Sequence, residues 1–309
     1  MRAPESSPQI SESQHRFQER GGLNLKAMQK GAAVTLANLR LLYSGKPNPR
    51  FKKIMAVNNA GLLRCRMSLE ESEALTAQFT PAQQKIFQRL IDTSKMMYQD
   101  KLGLRGQHGN GENFWEVSDP QVKQKPYIQD IEDVKGRKVE AQYKEYFTFV
   151  PISSSPVELL QDMAKFYDAL FRAFERIQNI AREKGVSIPM KFKDNLTELL
   201  LDLDSVVVYV PDSQTGQLVR IIINEEMAKQ KIKLGDRAGR SESGFDLRIN
   251  GEEFSHRQLV GMAVAAVMEQ DYETNKVLAG YTNEQFASSL LQRSEQASKL
   301  NSEQILQVI

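Results

Sequence analysis

Tyr143-Lys-Glu-Tyr-Phe-Thr-Phe-Val150 alternates in character and stops at Pro151, which reads as a strand ending at a residue without an amide donor. A strong helix is expected next, from Ser155 to about Lys184. After it, three runs read as strands: Ile188-Pro-Met-Lys-Phe-Lys-Asp194, Ser205-Val-Val-Val-Tyr-Val210 and Gln217-Leu-Val-Arg-Ile-Ile-Ile223. This succession of a strand, a helix and further strands predicts an α+β fold with a mostly antiparallel sheet and a long helix.

On the amino-terminal side, residues 1–22 are rich in Ser, Gln, Glu and Arg and have no apolar stretch, so a flexible leader is expected and a secretory signal peptide is not. Leu25, Met28, Ala32, Leu36, Leu39 and Tyr43 make one amphipathic stripe. Ser68-Leu-Glu-Glu71 has the spacing of a capping box, and Thr80-Pro81 supplies a cap and a first-turn proline for a helix reaching about Asp100. Residues 23–100 are therefore a helical region. Residues 101–126, with Gly103-Leu-Arg-Gly-Gln-His-Gly-Asn-Gly111, read as a glycine-rich linker and the domain boundary. An α+β domain is expected over 127–282. Within it Phe245 to Ile249 is a strand, Asn250-Gly251 a tight turn, and His256 to about Gln270 a helix. Asn224 to Lys231 reads as a short helix, and 283–309 as a polar helical tail set apart from the domain.

The chain has 309 residues, 40% of them apolar and 26% charged, enough to bury a sizeable core. Its net charge of +2 is too small to draw it to nucleic acid or a membrane surface by bulk electrostatics. No run is apolar and long enough to span a bilayer. The single cysteine, Cys65, excludes an internal disulfide framework, and with three scattered histidines it argues against a thiolate metal site. No cofactor motif is present; the glycine-rich stretch lacks the Gly-Lys-Ser/Thr ending of a nucleotide loop and follows no apolar strand.

The chemistry-bearing candidates are cations. Lys191 and Lys193 are two apart on one strand and so project together. Lys144 lies on another strand, Arg220 within the apolar run 218–223, and Arg237, Arg240 and Arg248 follow. Converging Lys and Arg side chains are what phosphate recognition needs, although a solvated strand face explains each one singly. Asp194, Asp202 and Asp204 fit turns and strand ends. His256, after Ser255, stands at a helix start, either as a functional acid or as a surface residue beside the cap. Ser255 and His256 are adjacent and do not face each other, so no hydrolase triad is built from them.

Tyr146-Phe-Thr-Phe-Val-Pro-Ile152, Met190-Lys-Phe-Lys193, Asp204-Ser-Val-Val-Val-Tyr-Val210 and Glu253-Phe-Ser-His-Arg257 together resemble the HopA-type effector family of plant-pathogenic bacteria, which also occurs as a domain of some lanthipeptide-maturing enzymes. The polar leader is similar to those of type III secretion substrates. The resemblance implies an α+β domain, type III secretion into a host cell, a host protein or phosphopeptide as partner, and a secretion chaperone around Leu23 to Leu42. It also implies a phosphothreonine or phosphoserine lyase chemistry. In such an enzyme a neutral lysine, here Lys191 or Lys193, takes the Cα proton, while Lys144, Arg220 and Arg240 hold the phosphate. Phosphothreonine lyases place a histidine two residues after a strand lysine; here Lys144 is followed by Glu145 and Tyr146, leaving Tyr146 or His256 as the acid. The competing class is a non-catalytic interaction module that binds host proteins.

Overall fold

The computed structural model describes residues 69–108, 114–121, 129–131, 136–150, 155–201, 204–235 and 243–275, with short pieces between 282 and 308. The leader, the stripe from Leu25 to Tyr43, Cys65, Ser68, Asp202 and the loop with Arg237 and Arg240 lie outside the described residues.

Two helices open the described chain, α1 (Leu69–Thr76) and α2 (Pro81–Asp100). Thr80 caps α2 as its sequence predicts. Its side chain accepts from the Gln83 amide, and the Gln83 side chain accepts from the Thr80 amide at 2.8 Å. The sheet comprises β1 (Arg105–His108), β2 (Phe114–Ser118), β3 (Gln129–Ile131), β4 (Val139–Phe149), β5 (Met190–Lys193), β6 (Val206–Val210), β7 (Leu234–Gly235), β8 (Ser243–Ile249) and β9 (Glu252–Phe254). Its main order is β1-β2-β5-β6-β4-β8-β9, with β3 and β7 also on the long β4, and every pairing is antiparallel. The fold is thus α+β, as expected. Asn250 and Gly251 both take positive φ in the two-residue turn joining β8 to β9, the conformation that Asn-Gly favours.

Helix α3 (Pro156–Lys184) crosses one face of the sheet, between α2 and α5 (Ser213–Lys229). It begins with proline at its first turn and ends at Gly185, whose φ of 65° lets its amide reach the Ala181 and Arg182 carbonyls. Leu159, Met163, Phe166, Leu170, Phe174 and Ile177 form its buried stripe, at the spacing that one helical face requires. The short α4 (Leu196–Leu201) follows β5, and α6 (His256–Asn275) follows β9.

Leu218 to Ile223 is part of helix α5, not a strand, and that helix absorbs the short helix expected at Asn224. Asp212 caps it by accepting from the Thr215 amide at 2.7 Å, and Val219, Ile222, Ile223 and Met227 bury one side. A short apolar stretch broken only by Arg220 fits a strand and a helix alike, so the cap decided what the pattern could not.

The described parts of 101–126 are likewise not a linker, because β1 and β2 belong to the sheet. Phe87, Ile91 and Tyr98 of α2 share one core with Trp115, Phe192 and α3, so the described part of the helical region is not a separate domain. Arg182 holds the connection by donating to the Leu102 carbonyl at 2.6 Å and to Asp119 at 3.1 Å. The tail is also not set apart over α7 (Ser302–Val308). Its Ile305 and Leu306 are buried against Val139, Ala141, Leu247 and Leu259.

Tyr98 lies at the centre of the core, ringed by Trp115, Phe171, Phe174 and Phe192. Its buried hydroxyl has no hydrogen-bond partner among the described residues, and burial pushes its pKa well up. Tyr98→Phe deletes an unsatisfied polar atom and keeps the ring. It is expected to raise stability by about 1 kcal/mol in urea titrations, and a loss of similar size would show that the hydroxyl is satisfied.

Candidate functional site

The face of the sheet turned away from α3 carries Lys144, Lys191 and Lys193, and strand register explains why. Lys144 pairs with Tyr209 across β4 and β6; Lys191 pairs with Glu116, and Lys193 with Phe114, across β5 and β2. Alternation along each strand then puts Lys144, Tyr146, Tyr209, Val207, Lys191, Lys193, Glu116 and Phe114 on one side. Tyr209 links the row: its ring centroid is 4.7 Å from Lys144 Nζ and 5.4 Å from Lys191 Nζ. Phe114, Tyr146 and Val207 form a small buried apolar cluster beside it.

Each lysine of the row has a carboxylate. Lys144 pairs with Asp246 of β8, Lys191 with Glu116 at 3.5 Å, and Lys193 with Glu198 of α4 at 3.1 Å. Lys193 was expected to project beside Lys191 as an accessible base; it shares that face but its side chain is 0% exposed, with Nζ 3.9 Å from the Phe114 ring centroid. Burial by itself would lower the Lys144 pKa, but the Asp246 carboxylate, with Tyr209 and Tyr146, outweighs it and the net direction is upward. Lys144 therefore stays protonated. Burial, and then Asp246, push the Tyr146 phenol up as well, so it is a neutral group and a weak proton donor.

His256 is not a surface residue at a helix cap. It is 3% exposed, its ring stacked edge-on to Phe245 with centroids 5.1 Å apart, and 6.2 Å from that of Tyr146. Its backbone amide donates to Asp246 at 3.1 Å, so one carboxylate holds both Lys144 and the first turn of α6. Ser255 and Gln258 complete that start as a reciprocal cap. Next to it, Arg257 pairs with Asp204, both buried.

Arg220 does not join the row. It lies on α5, on the opposite side of the sheet, and pairs there with Glu145, which is 2% exposed and abuts Gly216. Arg240 lies outside the described residues. Asp194 accepts from Lys95 at 2.6 Å, with His108 Nδ1 at 3.5 Å.

An open cleft of about 330 Å³ adjoins the Lys144–Asp246 pair, lined by residues including Glu140, Gln142, Asp246, Arg248, Glu253 and Ser255. Arg248 is taken up by Glu140, at 3.1 Å, and by Glu253. Carboxylates thus outnumber cations on its walls, the wrong sign for a phosphate. Among the described residues no cluster of His, Cys, Asp or Glu is arranged to hold a metal, and no helix is long and apolar enough to cross a membrane.

Sequence reasoning missed Asp246, Glu116, Glu145 and Tyr209. Each stands in a strand at an unremarkable polar position, and only strand order brings them to the lysines. The alternation of Asp246 and Arg248 in β8 was the one available signal. No family model, curated protein or solved structure matches the chain.

Proposed function

We propose that the chain is a non-catalytic, effector-type interaction module that binds host protein, and not a phospho-residue lyase. One observation carries this reading: every described cation proposed for the elimination chemistry is already matched by a carboxylate of the same fold. Proton abstraction from Cα needs an unprotonated amine, whereas Lys144 is held in its charged form and Lys193 has no exposed surface. A phosphate would have to displace Asp246 or Glu116 to reach the row, losing ion pairs that are largely out of water. The HopA-type resemblance and the polar leader supply the host-directed context. The lyase reading keeps one favourable observation, the convergence of Lys144 and Lys191 on the Tyr209 ring.

Incubating the full chain with a panel of phosphothreonine and phosphoserine peptides separates the two by mass spectrometry. Unchanged peptides are expected. Loss of phosphoric acid with a dehydro product, abolished by Lys191→Ala, would replace this reading with the enzyme. For the effector context, a translocation reporter fused to the whole chain is expected to reach host cells only from bacteria with an intact type III apparatus.

A further inference from the structure

We propose that the open edge of β1 accepts an extended acidic peptide segment of a partner protein as an added antiparallel strand. The inference rests on the interaction-module reading and adds the partner's chemistry. Strand β1 ends the sheet, and among the described residues it pairs only with β2. In an antiparallel pair, alternate residues turn their N–H and C=O groups away from the neighbour, so this edge presents donors and acceptors ready for one more strand. Arg105, Gln107 and His108 are exposed and Gly106 is half-buried. The edge is also held rigidly from behind. The Trp115 ring, itself buried, lies over Gly106, and all four residues of β1 are in register with β2. A strand fixed in advance spares an incoming peptide part of the ordering cost of binding.

Charge selects the occupant. Unlike the lysine row, Arg105 has no carboxylate partner among the described residues, and His108 shares Asp194 with Lys95. Two β1 strands meeting about a two-fold axis would bring two Arg105 side chains to one four-residue seam with no carboxylate between them, which disfavours a second copy of the same edge. An acidic strand meets no such repulsion. The opposite edge of the sheet, β9, is acidic, with Glu252 and Glu253 exposed. A second copy's β9 is therefore the competing occupant, but it offers only three residues before α6 begins.

The probe is a fluorescein-labelled decapeptide of alternating Glu and Val, titrated into the full chain by anisotropy. It is expected to bind and to slow amide hydrogen exchange at residues 105–108. The same peptide with alternate amides N-methylated, a Lys/Val decapeptide, and the Arg105→Glu variant are each expected to bind about tenfold more weakly or worse. Equal binding of the N-methylated peptide would reduce the effect to surface charge and overturn the proposal. So would unaltered affinity of Arg105→Glu, protection confined to other elements, or no binding of any peptide. Concentration-dependent self-association in sedimentation velocity that Glu253→Lys abolishes, and that blocks the peptide, would assign the edge to a second copy instead. None of these failures touches the interaction-module reading, which is judged on the phosphopeptides.

Discussion

Gly106→Ala is expected to cost about 2–3 kcal/mol, an overpacking penalty at the large end for one added methyl group. A Cβ built on Gly106 sits 2.6 Å from Cε2 of Trp115 and closer still to Cζ2 and Cη2. The ring has no room to yield. Trp115 is 4% exposed and packs edge-on to Phe192 and against Tyr98, both fully buried. Trp115 is the sole tryptophan of the chain, so its fluorescence reports on this contact directly. Urea titration followed by tryptophan emission should show a lower midpoint and a shifted native spectrum. Gly103→Ala is the contrast. Nothing lies within 4 Å of its Cβ position, and only its φ of 66° opposes a side chain, so about 1 kcal/mol is expected with an unchanged spectrum. Trp115→Phe removes the ring that collides, and in that background Gly106→Ala should cost under about 1 kcal/mol if the two sites are coupled as described. A Gly106→Ala protein with wild-type stability and emission would disprove the packing.

Asp246→Ala is expected to cost about 3–5 kcal/mol, the range for stripping a buried ion of its partner. The loss has two sources. Lys144, its side chain 11% exposed, keeps its charge without a counter-ion, and the His256 amide loses its acceptor at the start of α6. Asp246→Asn retains a carbonyl for that amide but not the charge, so it should recover only the smaller share. Lys144→Met is milder, because Asp246 is 25% exposed and can be hydrated. The double variant Lys144→Met/Asp246→Leu, with no stranded charge, should regain most of the stability.

The pH dependence has a definite sign. Lys144 has a folded pKa above its ordinary 10.5, so its contribution is complete below that value and is lost only as pH rises beyond it toward the folded pKa. In Asp246→Asn burial is left largely unopposed and pulls the Lys144 pKa down, so the gap in stability to wild type should narrow as pH rises from neutrality towards about 10. A gap that stays constant across that window would mean that burial does not disfavour the Lys144 charge once Asp246 is neutral.

Much of the architecture was legible in the chain because its signals are local. Thr80-Pro81, the stripe of Pro156–Lys184, Gly185 and Asn250-Gly251 act through caps, helical period and positive φ, each decided within a few residues. The run at 218–223 was misread because a short apolar stretch broken only by Arg220 fits a buried strand and a helix alike. Gly106 was misread for a different reason: it is small to admit Trp115, a close approach that composition cannot tell from a flexible loop.

The sequence by itself determined the α+β class, the antiparallel preference and the shared direction of Lys191 and Lys193, since these follow from periods of two and 3.6 residues. Only the tertiary structure decided what the cations do. Strand order laid β2, β8 and α4 beside them, so that Glu116, Asp246 and Glu198 neutralise the row, and it sent Arg220 to the other side of the sheet. Charge compensation depends on partners distant in sequence, and no local pattern encodes which strand lies next to which.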